Sequence, residues 1–289
     1  MDSLFTLIFN TIILRPYVFL FLLIYLLGCS LHLGVKRALF FCITGYLIAW
    51  LSEYSSIHNG IPYGFYYYIE QTKGKELWVL GVPFFDSLSY VFLAYASYSM
   101  ALMIISPVIF PRGLLYLLET KKIRNSIYVT TLGAILFVYL DIIIDPLTLL
   151  GNQWFLGQIY GYPQEGIYFG VPISNFIGWF VVGFLLIYTL QKVDYLLYKA
   201  SDWFGYKYQW RYIIGPGLYL GVIMFNLSVA FYIHEYNLVW VDTFLILLPS
   251  FLVYSMIKFK LSLKIPAETL KAHLSDFPQA VIPGYKAAK

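Results

Sequence analysis

The sequence predicts an all-α fold, a polytopic transmembrane bundle of about seven helices. Three observations carry that expectation. The chain is 60% hydrophobic and only 12% charged, with a mean hydropathy of +0.73, roughly half the charged share of an ordinary soluble domain. Its 289 residues could build a sizeable soluble core, but too few charges remain to coat one. A lipid-facing surface needs no such coat, and apolar stretches near the roughly 20-residue spanning length recur along the chain.

The first stretch runs from Pro16 to Val35, between Arg15 and Lys36. The second runs from Ala38 to Glu53, the third from Phe84 to Pro107 and the fourth from Ser126 to Leu149. Pro172 to Leu190, Tyr212 to Ile233 and Leu238 to Ile257 complete the seven. Leu4 to Leu14 is apolar but short, and reads as an interfacial lead-in to the first span, with an eighth span as the lesser alternative. These limits predict one membrane domain, residues 1–265, and a short cytoplasmic tail, 266–289. No basic segment precedes the first apolar stretch, so no cleaved signal peptide is expected. Cys29 and Cys42 fall inside apolar segments and read as packing residues.

Basic residues set the expected orientation. Lys36, Arg37, Arg112, Lys121, Lys122, Arg124, Lys192, Lys199, Lys207 and Arg211 fall on one side, and six tail lysines (Lys258, Lys260, Lys264, Lys271, Lys286 and Lys289) join them. The other side holds only Arg15, Lys73 and Lys75 of the 19. The split predicts a multi-pass cell-membrane protein with its N-terminus outside and its C-terminus cytoplasmic. The net charge of +4 reflects this asymmetry and does not point to nucleic acid.

Carboxylates inside or beside spans are costly, and mark sites first. Between Arg37 and Glu53 the chain rises only about 23 Å, which leaves Glu53 inside a hydrocarbon core roughly 30 Å thick. Asp141 follows Arg124 at a similar interval, and Asp145 lies one turn further on the same helix face. Pro146 predicts a bend or stop at Asp145. Asp86 opens the third span and Asp242 the seventh, where an acid complements the helix dipole, and Asp242 reads as a helix-start residue. Glu53, Asp141 and Asp145 sit instead near C-terminal helix ends, which repel carboxylates and ask for another reason. All five acids are expected at the outer end of the bundle.

The two long outer loops resemble each other. One runs from Glu53 through E-Y-S-S-I-H-N-G-I-P-Y-G-F-Y-Y-Y to L-G-V-P-F-F-D-S. The other runs from D-I-I-I-D-P to G-I-Y-F-G-V-P-I-S-N-F. Gly81-Val82-Pro83 leads to Asp86, and Gly170-Val171-Pro172 leads to Asn175. The match predicts a helix–loop–helix unit used twice in parallel, with a site at the interface of the copies. The loops also carry many aromatics. Most suit an interfacial belt, while those beside the carboxylates could line an apolar pocket or steady a cation. The four scattered histidines and two cysteines form no metal cluster, and no nucleotide loop, nucleophile elbow or mid-span Schiff-base lysine is present. No metal and no cofactor is expected.

The blocks at Glu53–Tyr68, Leu80–Ser87 and Asp141–Gly178, above all G-I-Y-F-G-V-P-I-S-N-F-I-G-W, resemble the CruF-type carotenoid hydratases, which include bisanhydrobacterioruberin hydratases and carotenoid 1,2-hydratases. The resemblance covers roughly residues 38 to 190. It implies cofactor-free addition of water across the terminal double bond of an acyclic carotenoid, giving a tertiary alcohol. Its partners would be a lipophilic carotenoid or isoprenoid, water and the bilayer. Such a hydration needs a proton donor, a stabilised tertiary cation and a delivered water. Acids in an apolar site can hold a proton at neutral pH, and two sharing one site divide into donor and acceptor. Asp141 or Asp145 paired with Glu53 is the expected donor and acceptor, with Asp86 and Asn175 positioning water. Tyr63, Tyr67, Trp154, Tyr168 and Trp179 are the expected walls for substrate. A hydratase of another membrane prenyl chain, a carotenoid-binding protein and a transporter are the competing classes.

Overall fold

The computed structural model describes residues 3–198, 208, 210–280 and 282. Lys199, Lys207, Lys286 and Lys289 of the charge count lie outside these described residues. Ten helices are described: α1 (Leu4–Leu14), α2 (Pro16–His32), α3 (Val35–Asn59), α4 (Phe84–Ile105), α5 (Lys121–Arg124), α6 (Ile127–Leu149), α7 (Ile173–Leu196), α8 (Arg211–Tyr232), α9 (Tyr236–Ser262) and α10 (Ala267–Asp276).

Six of them (α3, α4, α6, α7, α8 and α9) are long and apolar enough to cross a membrane, and the bent pair α1–α2 makes a seventh span if counted as one. The protein is an all-α, multi-pass membrane bundle. Proline at the start of α2 has no amide to offer the preceding helix, and the chain turns by 91° between α1 and α2. A right-angle turn agrees with a lead-in segment rather than an eighth span. Arg15 at this corner pairs with Glu76 at 2.9 Å, also donates to the Leu156 carbonyl, and so fastens the corner to both long loops.

The helix α4 is apolar on every side and is accordingly buried almost throughout. It packs against α2, α3, α6, α7, α8 and α9. Around it α3, α6 and α7 close a four-helix cluster, with α2 and α8 on the other flank and α9 at the edge. Pro146 does not end α6, which runs on to Leu149. A proline this close to the last turn removes a single intrahelical bond, a small loss beside the packing of α6 on α4 and α7.

The doubled motif is visible as backbone geometry. Strands β2 (Trp78–Val79) and β3 (Val82–Pro83) form a hairpin around Leu80 and Gly81, whose φ angles are 50° and 86°. Tyr168 and Val171 bridge around Phe169 and Gly170, with φ of 48° and 84°. Both turns have two consecutive positive φ values, as a type I′ hairpin requires. The second position is glycine, which accepts this at no steric cost, while Leu80 and Phe169 each bear roughly 1–2 kcal/mol of strain. Each hairpin delivers a proline that caps the next helix, α4 or α7. The two loops then join through β1 (Tyr67–Tyr68) and β4 (Tyr160–Gly161), with Tyr68 opposite Tyr160.

The expected tail carries α10, which docks on the end of the bundle where α3 and α6 begin. His273 is fully buried there and contacts the Glu119 carbonyl at 2.6 Å, and Asp276 accepts from the Lys121 amide at 2.8 Å.

Candidate active site

The ends of α3 and α6, the starts of α4 and α7, and the two loops enclose a small polar cavity of about 40 Å³. Glu53, Asp86 and Asp145 face it, together with Asn175, Trp179 and the tyrosines Tyr63, Tyr66, Tyr68, Tyr90, Tyr160 and Tyr162. Among the described residues, no lysine or arginine lines it. Glu53, Asp141 and Asp145 are each buried to within 2% exposure, so none points to lipid or bulk water.

The carboxylates fall into two groups, one per repeat. In the first, the Tyr68 hydroxyl lies 3.0 Å from Glu53 Oε1 and 2.8 Å from Asp86 Oδ2, and bridges them. Ser87 donates to the other oxygen of Glu53. Burial, then the adjacent Asp86 and Glu53, pushes the Tyr68 hydroxyl well above its ordinary range, so it remains a donor. In the second group, the Asn175 amide donates to Asp141 at 2.7 Å and to Asp145 at 3.1 Å. Tyr162 donates to Asp145 at 2.7 Å, and Tyr160 donates to its other oxygen. Asp86 and Asn175 thus occupy matching places after their Gly-Val-Pro hairpins, each beside an acid from the preceding helix.

Local packing explains the arrangement. At Gly178 a Cβ would lie 2.7 Å from the Pro62 carbonyl, so only glycine lets α7 press against the first loop. That approach sets Tyr63 beside Trp179, and Tyr90 stacks on the same indole with centroids 4.7 Å apart. Trp50 donates to the Val79 carbonyl at 3.1 Å and ties α3 to the first hairpin.

The expected site residues are therefore only partly brought together. Glu53, Asp86, Asp145, Tyr63, Asn175 and Trp179 share the cavity, and Asp141 joins them through Asn175. Tyr67 does not: in extended backbone neighbours alternate sides, and Tyr67 is 51% exposed while Tyr66 and Tyr68 face in. Trp154 lines a neighbouring apolar cavity of about 90 Å³ with Tyr17, Phe21, Phe85, Phe92 and Phe225. Asp86 faces that cavity as well as the polar one. Tyr168 packs on Phe169 and Phe176, away from both. Asp242 is not a helix-start residue, since α9 begins at Tyr236 and buries Asp242 in its second turn with neither oxygen hydrogen-bonded. The residues not anticipated as site members are Ser87, Tyr66, Tyr68, Tyr90, Tyr160 and Tyr162; the alternation along Tyr66-Tyr67-Tyr68 was the available signal for two of them.

Fold and site together define a multi-pass membrane protein with a carboxylate- and tyrosine-lined chamber beside an apolar slot, Asp86 facing both. A family model described as carotenoid biosynthesis protein matches residues 4–249. The chain belongs to this family, and its role lies in carotenoid biosynthesis. Searches of curated proteins and of solved structures find no significant match.

Proposed function

We propose that the protein is a cofactor-independent hydratase of an acyclic carotenoid end group. The single observation that carries this reading is the placement of Asp86 on the wall between an apolar, aromatic cavity and a polar one. An alkene belongs in the first and water in the second, and hydration needs one acid in reach of both. The polar cavity is large enough for water, which needs roughly 10–15 Å³ of such space per molecule.

Hydrogen-bond counting supports a proton stored on the Glu53–Asp86 pair. Tyr68 has one hydroxyl hydrogen but lies within bonding distance of both Glu53 and Asp86, and Tyr66 donates to its oxygen at 3.3 Å. Tyr68 can serve one carboxyl; the other contact requires a proton on the carboxyl itself. Asp145 differs, since Tyr160, Tyr162 and Asn175 all donate to it and suit a fully ionised carboxylate.

In this mechanism the Glu53–Asp86 pair transfers its proton to the less substituted alkene carbon. The carboxyl O–H bond breaks, a C–H bond forms, and a tertiary cation is left beside the rings of Phe85 and Trp154. Water from the tyrosine-lined cavity bonds to the cation through oxygen and releases a proton to the carboxylate, which restores the pair. The net change is one water added and nothing oxidised. Asp141, Asp145 and Asn175 hold the facing wall and orient water.

Expression in a host that accumulates an acyclic carotenoid tests the proposal. The wild type should yield a pigment heavier by one water, and Glu53→Gln or Asp86→Asn should not. Full product from all of Glu53→Gln, Asp86→Asn, Asp141→Asn and Asp145→Asn would overturn it.

A further inference from the structure

A third cavity, of about 290 Å³, opens further along the same helices that form the apolar slot. In the slot α4 presents Phe92 and Leu93, α6 presents Ile144 and α8 presents Val222. In the larger cavity the same three helices present Met100 and Met103, Leu136, and Ile223, with Val253 of α9 as the outer wall. Three tyrosines and Ser250 border it. Tyr139 donates to the Leu245 carbonyl and Tyr219 to the Leu136 carbonyl at 2.8 Å, so these two offer an occupant only their rings. Tyr254 lies at the exposed rim, and apart from it and Ser250 the wall is aliphatic and thioether.

On all three shared helices the large cavity lies farther from the carboxylate site than the slot does. Asp86 and Met103 both lie on α4, about 26 Å apart along its axis at 1.5 Å per residue. That reach approaches the roughly 30 Å thickness of a bilayer core. A compact substrate would need only the slot. A second apolar chamber deeper along the same helices is what a long, thin, wholly apolar molecule requires once its end group is at Asp86.

We infer that the large cavity between α4, α6, α8 and α9 binds the chain of a long acyclic polyene whose end group occupies the slot at Asp86. This rests on the hydratase reading for the position of the end group, but not for the chemistry of the chain site. The occupant is a polyene rather than a phospholipid acyl chain because the cavity follows the slot in depth along the same three helices, in a protein of carotenoid biosynthesis.

Retention of an acyclic polyene, read by its absorbance after purification in detergent, tests the site without relying on turnover. Asp86→Asn serves as the background, so that bound substrate is not consumed. Ile223→Trp and Val253→Trp fill the cavity from opposite walls, and Leu247→Trp, on the lipid-facing side of α9, is the control. Either filling variant should lower retained polyene at least fivefold, and the control should not. In the active background, the filling variants should hydrate a short acyclic terpene with the same end group within twofold of wild type. Undiminished polyene retention in both filling variants overturns the inference, as does loss of bound phospholipid in its place. Polyene lost on filling the cavity, from a wild type that hydrates neither substrate, would uphold the chain site and remove the hydratase reading alone.

Discussion

The two ends of the bundle both bury acids, and apart from Glu76, which pairs with Arg15, they hold them in opposite ways. At one end Glu53, Asp86, Asp141 and Asp145 are held by tyrosine, serine and asparagine, all neutral donors. At the other, Arg124 grips both oxygens of Glu119 at 2.9 and 2.6 Å and reaches Asp194 at 3.4 Å. His32 lies 3.1 Å from Glu119, and Arg37 lies 3.4 Å from Asp194. Burial alone would push the Glu119 carboxyl up, but Arg124 and His32 outweigh it and hold the group well below its usual range. A buried acid with an arginine is a fixed charge and a structural clamp. Buried acids that share only neutral donors have protons to exchange. Burial is common to both ends; the sign of the neighbours separates scaffold from site.

The largest contrast comes from one substitution at each end. Asp86→Asn should lower hydration by roughly 10²- to 10⁴-fold, the usual contribution of a general acid, with the melting temperature maintained. Arg124→Met strands Glu119 and Asp194, should cost about 3–5 kcal/mol, and should leave little folded protein. Thermal melts and product assays on both variants check this; a folded, inactive Arg124→Met beside an unfolded Asp86→Asn would invert the comparison. A smaller effect is expected at Asn175. With leucine there, Asp141 and Asp145 lose their shared donor, and activity should fall by about 10²-fold, as when one preorganised donor is removed elsewhere. Unchanged activity in Asn175→Leu would confine catalysis to the first repeat.

The smallest effect concerns α10. Burial holds the His273 imidazole below its ordinary value, and its Nδ1 contact to the Glu119 carbonyl fits the neutral ring. The unfolded segment therefore takes up the proton first. Docking should be strongest above about pH 6.5 and weaken as pH falls below that value. Limited proteolysis of the tail should rise by a factor of a few between pH 7.5 and 5, and His273→Gln should flatten the slope. A flat wild-type profile would remove His273 from the clamp.

The site was legible in the sequence to the extent that it follows from helix rise and span length. Those place Glu53 and Asp141 at one depth, and the repeated Gly-Val-Pro gives Asp86 and Asn175 corresponding positions. Which acids share a donor was not legible. Glu53 was expected opposite Asp141 or Asp145, yet its partner is Asp86, because Tyr68 reaches across from β1. Tyr67 and Tyr168 are as aromatic as Tyr66 and Tyr160, and composition alone does not tell inward from outward rings. The arginine clamp also escaped notice: Arg37 and Arg124 read as loop charges that orient the protein, but each is also a buried partner of Asp194.

Hydropathy and charge belong to each segment by itself, and a bilayer reads them segment by segment, so the number of spans, the all-α class and the acid-rich helix ends were fixed before any folding. The pairing of carboxylates, the boundary position of Asp86 and the succession of apolar cavities along α4, α6 and α8 depend on distances between segments far apart in the chain. Those distances exist only once α4 is enclosed by its neighbours, and only the tertiary structure could decide them.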